Sequence, residues 1–241
     1  MNQPSRFSLA IAAAGCIAIG AAAGWTARGG DRTQMESVVH DYVLAHPEIL
    51  PQAMDNLRAQ QDTQALSAVR GEVTKPWPGA VLGNPSGKFT LVEFTDYACG
   101  YCRASLPDVD ALIAAHPDLK VVVRELPILT PASTDAAKMA LAAAAQGKYA
   151  AFRKAMFVTG RPDPGSIADA AKAAGLDMAK AQAAITDPAV KAELDHNIEL
   201  ARQLGFSGTP AWVIGNQLMS GAVGSEALAK AVNNSQAPVT G

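Results

Sequence analysis

The sequence predicts an α/β protein in which a β-α-β unit is followed by a long helical insertion and closed by a β-β-α unit. Three observations carry this. Two strand patterns flank one helical pattern between Phe89 and Leu126. An alanine-rich helical block runs from Ser133 to Leu204. A two-residue hairpin signal stands at Gly215-Asn216.

Each element has its own local reason. Thr33-Gln34-Met35-Glu36 is a capping box, so a helix begins there and carries Val38, Val39, Tyr42 and Val43. His46-Pro47 interrupts it, and Pro47 suits the first turn of a second helix with Leu50, Met54 and Leu57 on one face. That face turns polar at Gln61 and Gln64, too soon for the stripe to bury itself. Gly71 to Gly87, with Pro76, Pro78 and Pro85, reads as a linker. Phe89 to Phe94 is a strand, and Leu106, Val109 and Ile113 are spaced for a helix from Cys102 to Ala115. Lys120 to Leu126 is a second strand, whose β-branched triplet suits a parallel sheet covered on both faces. The helical block breaks at Gly147, at Gly160 to Gly165, at Gly175 and at Asp187-Pro188. Ala211 to Ile214 and Gln217 to Met219 then form the hairpin, and Ser225 to Val232 is a closing helix.

The first residues have another character. Phe7 to Trp25 carries no charge and is long enough, at about 20 residues, to span a bilayer as a helix. It equally fits a signal peptide, with Arg6 as the basic start and Ala21-Ala22-Ala23 as the cleavage site. Both readings carry the rest of the chain out of the cytoplasm, so residues 1–30 are expected to be a signal peptide or a membrane anchor. Cys16 is read as a small apolar residue of that segment. Residues 31–75 are then an N-terminal helical segment, and residues 76–241 the main domain, with its helical insertion at about 131–205.

Composition excludes several functions. Lys+Arg 20 against Asp+Glu 22 leaves no basic field for nucleic acid, and 5% aromatics gives no base-stacking platform. With 49% hydrophobic residues and a net charge of -2 the chain is not intrinsically disordered. Three cysteines are too few for a disulfide-stapled scaffold.

Two of them stand as Cys99-Gly100-Tyr101-Cys102. Such a pair can be half a zinc site, a structural disulfide or a redox pair. Zinc needs two more ligands, and His40, His46, His116 and His196 lack ligand spacing. A disulfide closing so short a loop removes little entropy from the unfolded chain. A redox pair fits the position between strand and helix, because a helix start favours a thiolate. On this reading Cys99 is the attacking sulfur, exposed at the tip, and Cys102 is the buried resolving thiol. No cofactor or metal is expected. Glu93 lies on a strand that should be buried, so its carboxylate is paired, carries a proton for Cys102, or faces outward. Thr209-Pro210 stands just before a strand.

Leu91-Val92-Glu93-Phe94-Thr95-Asp96-Tyr97-Ala98-Cys99-Gly100-Tyr101-Cys102, Arg124-Glu125-Leu126-Pro127-Ile128 with the block Ser133 to Phe157, and Gly208-Thr209-Pro210-Ala211 together resemble the DsbA family of extracytoplasmic thiol–disulfide oxidoreductases. The resemblance runs from about Val81 to Val232. It implies a thioredoxin fold with an inserted helical domain, a cis Pro210 facing the cysteines, and a Thr209 backbone that pairs with substrate as an added strand. It also implies that Glu93 is the buried acid behind Cys102. The family's best-known oxidases carry Pro-His between the cysteines and Val before the proline. Gly100-Tyr101 and Thr209 are instead similar to disulfide isomerases and to the copper-sensitivity-suppressor proteins. Tyr42 to Leu57 is similar to the N-terminal region of the latter, which oligomerises some members. The expectations are therefore reduction or isomerisation ahead of net oxidation and a periplasmic location. The expected partners are client proteins with cysteines and a membrane redox partner of unknown identity. Self-association is expected through residues 38–57. The rival of another class is a metal-binding or chaperone module on the same fold.

Overall fold

The structure, a computed structural model, describes residues 32–236; the apolar run 7–25, its cleavage site and Cys16 lie outside the described residues. The chain divides into two compact units between Arg58 and Ala59. The first holds α1 (32–45) and the start of α2 (Ile49–Val73). The residue before a proline disfavours helical geometry, and α1 ends ahead of His46-Pro47. Pro47 lies in the turn before α2 rather than within its first turn, with Ile49 N–H donating to His46 at 3.1 Å. Val38, Tyr42, Leu50, Met54 and Leu57 are all exposed.

In the second unit α2 goes on from Ala59 and buries Leu66, Val69 and Val73. The stripe that turns polar at Gln61 and Gln64 thus resumes one turn later. The stretch read as a linker from Gly71 holds the end of this helix and a short strand, β1 (Val81–Gly83). Three residues among prolines and glycines carry too little pattern to read as a strand. Tertiary pairing with the neighbouring strand makes β1.

Five strands form the sheet. β2 (Phe89–Thr95) runs parallel to β3 (Leu119–Glu125), β1 flanks β3 antiparallel, and β4 (Ala211–Ile214) pairs antiparallel with β2. β5 (Gln217–Ser220) completes the hairpin, so the order is β1-β3-β2-β4-β5. The helix expected from Cys102 to Ala115 is two, α3 (Gly100–Ala104) and α4 (Leu106–Ala115). Pro107 has no N–H to continue the ladder, so the helix breaks at Ser105. The insertion comprises α5 (Pro131–Ala145), α6 (Tyr149–Thr159), α7 (Pro164–Ala173), α8 (Met178–Ile185) and α9 (Pro188–Gln203). Thr130, Asp163, Asp177 and Asp187 cap α5, α7, α8 and α9 through their side-chain oxygens. α10 (Gly224–Gln236) closes the described chain.

Strand alternation gives the sheet two unlike faces. Val92, Phe94, Val122 and Val213 face α2 and the end of α9, in a core with Leu66, Val69, Leu200 and Phe206. Leu91, Val121, Val123 and Trp212 face the other way, in a core shared by α4, α5, α6, α10 and Cys102. Glu93, Thr95 and Glu125 alternate onto this second face.

Candidate active site

β2 delivers the chain to Cys99, which caps α3 with extended backbone (φ -82, ψ 116). Its Sγ accepts the Cys102 N–H at 3.4 Å and donates to the Thr209 carbonyl at 3.1 Å. Thr209-Pro210 is a cis peptide, as the resemblance implies. Cys99 was expected to be exposed, yet only 6% of its surface is open, against 0% for Cys102. The Thr209 carbonyl holds the sulfur inward. Burial pushes the Cys102 thiol up to about 12, and the Thr209 and Thr95 hydroxyls act against that rise. The Thr209 hydroxyl works on Cys102, and the Thr209 carbonyl is what meets Cys99. Gly100 opens α3 with nothing within 4 Å of where a Cβ would lie, and Tyr101 stands 70% exposed beside the cysteines.

Glu93 is fully buried and forms an ion pair with Arg153 at 2.5 Å, which is the paired arrangement and not the outward-facing one. Burial raises its carboxyl above the ordinary range, with the Arg153 guanidinium opposing. No direct contact joins Glu93 to Cys102 in the described hydrogen bonds. Thr95 lies between, its hydroxyl acting on both groups without an ordinary hydrogen bond to either.

Several residues at this site carried no signal of function in the sequence. Asp96, 1% exposed, accepts Ala98 N–H at 2.8 Å through Oδ1, and Ile128 and Leu129 N–H at 2.9 and 3.0 Å through Oδ2. Its carboxylate thereby ties the loop after β3, where Ile128 and Leu129 are exposed, to the cysteine loop. Glu125 at the end of β3 accepts from Tyr97 at 3.0 Å and from Tyr149 at 2.6 Å. Arg153 of α6 lies over the Phe157 ring at 5.6 Å. What could have flagged them is the Glu125 position, a carboxylate inside a β-branched strand.

A strand-loop-helix with two cysteines at the helix start, opposed by a cis-proline loop, is an arrangement for thiol–disulfide exchange. Residues 90–233 match the DSBA-like thioredoxin domain. The chain belongs to the DsbA-like thioredoxin family. Ahead of that domain, residues 31–64 match the N-terminal domain of the copper resistance protein ScsC. A thioredoxin-like oxidoreductase from Silicibacter pomeroyi DSS-3 is 41% identical with a TM-score of 0.63, over 65% of this chain and 91% of that one. A linker-deleted mutant of Proteus mirabilis ScsC is 28% identical with a TM-score of 0.67, over 85% and 94%. The thiol-disulfide exchange protein alpha-DsbA2 of Wolbachia pipientis is 31% identical with a TM-score of 0.67, over 74% and 97%. Curated relatives include the Na(+)/H(+) antiporter NhaA 3 of Salinispora tropica, 26% identical over 155 residues and 63% of this chain. The chain spans about a quarter of that relative's length (24%). Within the DsbA-like family this chain sits with the thiol–disulfide oxidoreductases. Among the described residues no helix is long and apolar enough to cross a membrane.

Proposed function

We propose that the chain exchanges disulfides of periplasmic or secreted client proteins, reducing or isomerising them ahead of net oxidation. The observation that carries this reading is the inequality of the two sulfurs. Cys99 keeps the only open surface of the pair and sits against the cis-proline loop, while Cys102 is sealed and held as a thiol. Cys99 attacks a client disulfide, one client sulfur leaves as a thiolate, and a mixed disulfide forms. Cys102 then attacks Cys99, the bond to the client breaks, and the client departs reduced. Alternatively a second client thiol displaces Cys99 and the client leaves isomerised, with no net electron transfer. A reductase cycle needs re-reduction, and a membrane thiol donor is the partner of the right chemistry.

The direction rests on how Cys99 is supported. Gly100 offers no side chain and Tyr101 points to solvent, so the residues between the cysteines give the sulfur no charged or side-chain donor; what it accepts is the Cys102 backbone N–H at 3.4 Å. A weakly supported thiolate makes the reduced form less favoured and the protein less oxidising; thioredoxin-like potentials run from about −270 to about −120 mV. Periplasmic location is supported by the apolar run 7–25 and by a neighbour described as a periplasmic thioredoxin-like protein from Salmonella enterica, 27% identical. Exposed Val38, Tyr42, Leu50, Met54 and Leu57 support self-association, which would hold several sites around one client.

Ribonuclease refolding tests the direction. Rescue of the scrambled enzyme with slow oxidation of the reduced one is expected. Fast oxidation without rescue makes the chain an oxidase. Stoichiometric zinc or copper binding with no exchange makes it a metal-binding module.

A further inference from the structure

Asp96 is the first residue after β2, and its bonds run in two directions. Toward the nucleophile, its main-chain carbonyl accepts the Cys99 N–H at 3.0 Å and its Oδ1 accepts the Ala98 N–H at 2.8 Å. A short acidic side chain in a turn ordinarily bonds the N–H two residues on in this way. Toward the insertion, its Oδ2 accepts the N–H groups of Ile128 and Leu129, 32 and 33 residues along the chain, at 2.9 and 3.0 Å. No local turn requires that second pair. The segment leading from β3 into the helical insertion depends on it. Leu126 N–H donates to the Thr95 carbonyl at 2.8 Å, Pro127 has no N–H, and Ile128 shares its N–H between Asp96 and the Leu126 carbonyl. Thr95 and Asp96 thus take every N–H from Leu126 to Leu129. Thr130 then caps α5, which packs Ala136, Met139 and Ala140 into the core that holds both cysteines. Asp96 is only 1% exposed, so solvent does not replace a bond that it loses.

We infer that Asp96 is a positioning residue for thiol exchange: its carboxylate locks the Ala98–Cys99 peptide to the entry of the helical insertion and so sets the direction from which the Cys99 sulfur meets a disulfide. The inference rests on the thiol-exchange reading. In that step the Cys99 thiolate bonds one sulfur of the disulfide, and the other sulfur leaves as a thiolate. Asp96 gives and takes no proton in it. The reacting sulfurs must be aligned, and a misplacement of about 1 Å costs about 10²-fold in rate. The Thr209 carbonyl holds the Cys99 sulfur itself at 3.1 Å, and Asp96 holds the chain that carries it. Asp96 also reaches the second sulfur. Burial raises the Cys102 thiol, and the Asp96 main chain acts against that rise by bonding the sulfur.

The test is attack on a small aromatic disulfide by the reduced full chain carrying Cys102→Ser, with linkage at Cys99 read by peptide mass. The rate is followed to its alkaline plateau, where the thiolate fraction no longer changes and placement decides the rate. Asp96→Asn offers one oxygen where the carboxylate offered two, so Ala98 or the Ile128–Leu129 pair meets an NH2 group. Its plateau should fall about tenfold. Asp96→Ser keeps a short acceptor for Ala98 but loses the reach to residues 128 and 129, and it should stay as slow. Arg124→Met, which loosens the other face of β3, should keep the parent plateau and so separates placement from stability. An Asp96→Asn profile with a shifted midpoint and the parent plateau overturns the inference and leaves thiol exchange standing. Recovery of the plateau in Asp96→Ser, or an equal fall in Arg124→Met, does the same. A parent chain whose Cys99 links to no disulfide overturns both. Amide exchange in the wild-type chain serves if the Asp96 variants do not fold. Ala98, Ile128 and Leu129 should share one protection level, and it should change for all three when the Cys99–Cys102 disulfide forms. Ile128 and Leu129 amides that do not respond to that disulfide overturn the inference.

Discussion

The two faces of the sheet each bury an arginine, and they treat it in opposite ways. Arg124 faces α2 and α9. Its Nε donates to the Val73 carbonyl at 3.2 Å, one terminal nitrogen bonds Glu193 at 2.8 Å and Asn197 at 2.9 Å, and the other bonds the carbonyls of Glu72 and Lys75. Every nitrogen has a partner, and three of the partners are backbone carbonyls at and just beyond the end of α2. Arg153, on the cysteine face, bonds Glu93 and leaves its Nε unpartnered, among further unpartnered atoms of Glu93, Thr95, Glu125 and Thr209. Complete satisfaction fixes structure: Arg124 staples α2 onto the end of the sheet. Incomplete satisfaction leaves buried polar atoms on the cysteine face with hydrogen-bonding capacity to spare.

Removing each arginine should break the comparison hardest. Arg153→Met strands Glu93 in the core and is expected to lower unfolding free energy by about 3–5 kcal/mol in urea, most of it restored by adding Glu93→Gln. Arg124→Met should cost less, about 2–3 kcal/mol, because the end of α2 and Glu193 lie close to solvent, and it should leave the pH profile of exchange as in wild type. Equal losses, with no restoration in the double variant, would make the faces equivalent.

A smaller effect is the dependence of stability on pH. The Glu125 carboxyl has an ordinary value of 4.5 and is pushed up to about 8 by burial. Between those values the unfolded chain binds fewer protons than the folded one, so stability should fall as pH rises from 4.5 to 8 and level off beyond. Glu93, raised in the same direction, adds to the slope. Chemical denaturation across this window should show a clearly shallower slope for Glu125→Gln; equal slopes would mean that Glu125 does not carry the pH dependence. Smaller still is Thr209→Val. Losing a hydroxyl that favours the Cys102 thiolate should slow resolution a few-fold, about 1 kcal/mol or less, with the attack by Cys99 little altered. Slowed attack with normal resolution would place the hydroxyl at Cys99 instead.

The same contrast explains what could be read from the sequence. Cys99 and Cys102 were legible because their spacing, strand and helix are all local. The β-α-β unit, the hairpin and the helical block were legible for the same reason. Glu93 stood out as a charge within an apolar strand, but its partner sits in α6, where Arg153 looks like any charged residue of a solvated helix face. Glu125 and Arg124 are adjacent and end on opposite faces, a distinction set by β3 pairing with β2. Asp96 works through backbone N–H groups of a loop some distance along the chain, and nothing local announces that. β1 and the second half of α2 exist because the sheet gives them something to cover.

The central claim is that Cys99 and Cys102 have unequal, fixed roles, and a trapping experiment tests it most directly. The full chain carrying Cys102→Ser, mixed with unfolded disulfide-bearing clients and quenched with acid, should accumulate clients linked through Cys99. The Cys99→Ser chain should trap none and should not reduce insulin. Clients accumulating on Cys102 in the Cys99→Ser chain, with none on the Cys102→Ser chain, would contradict the account.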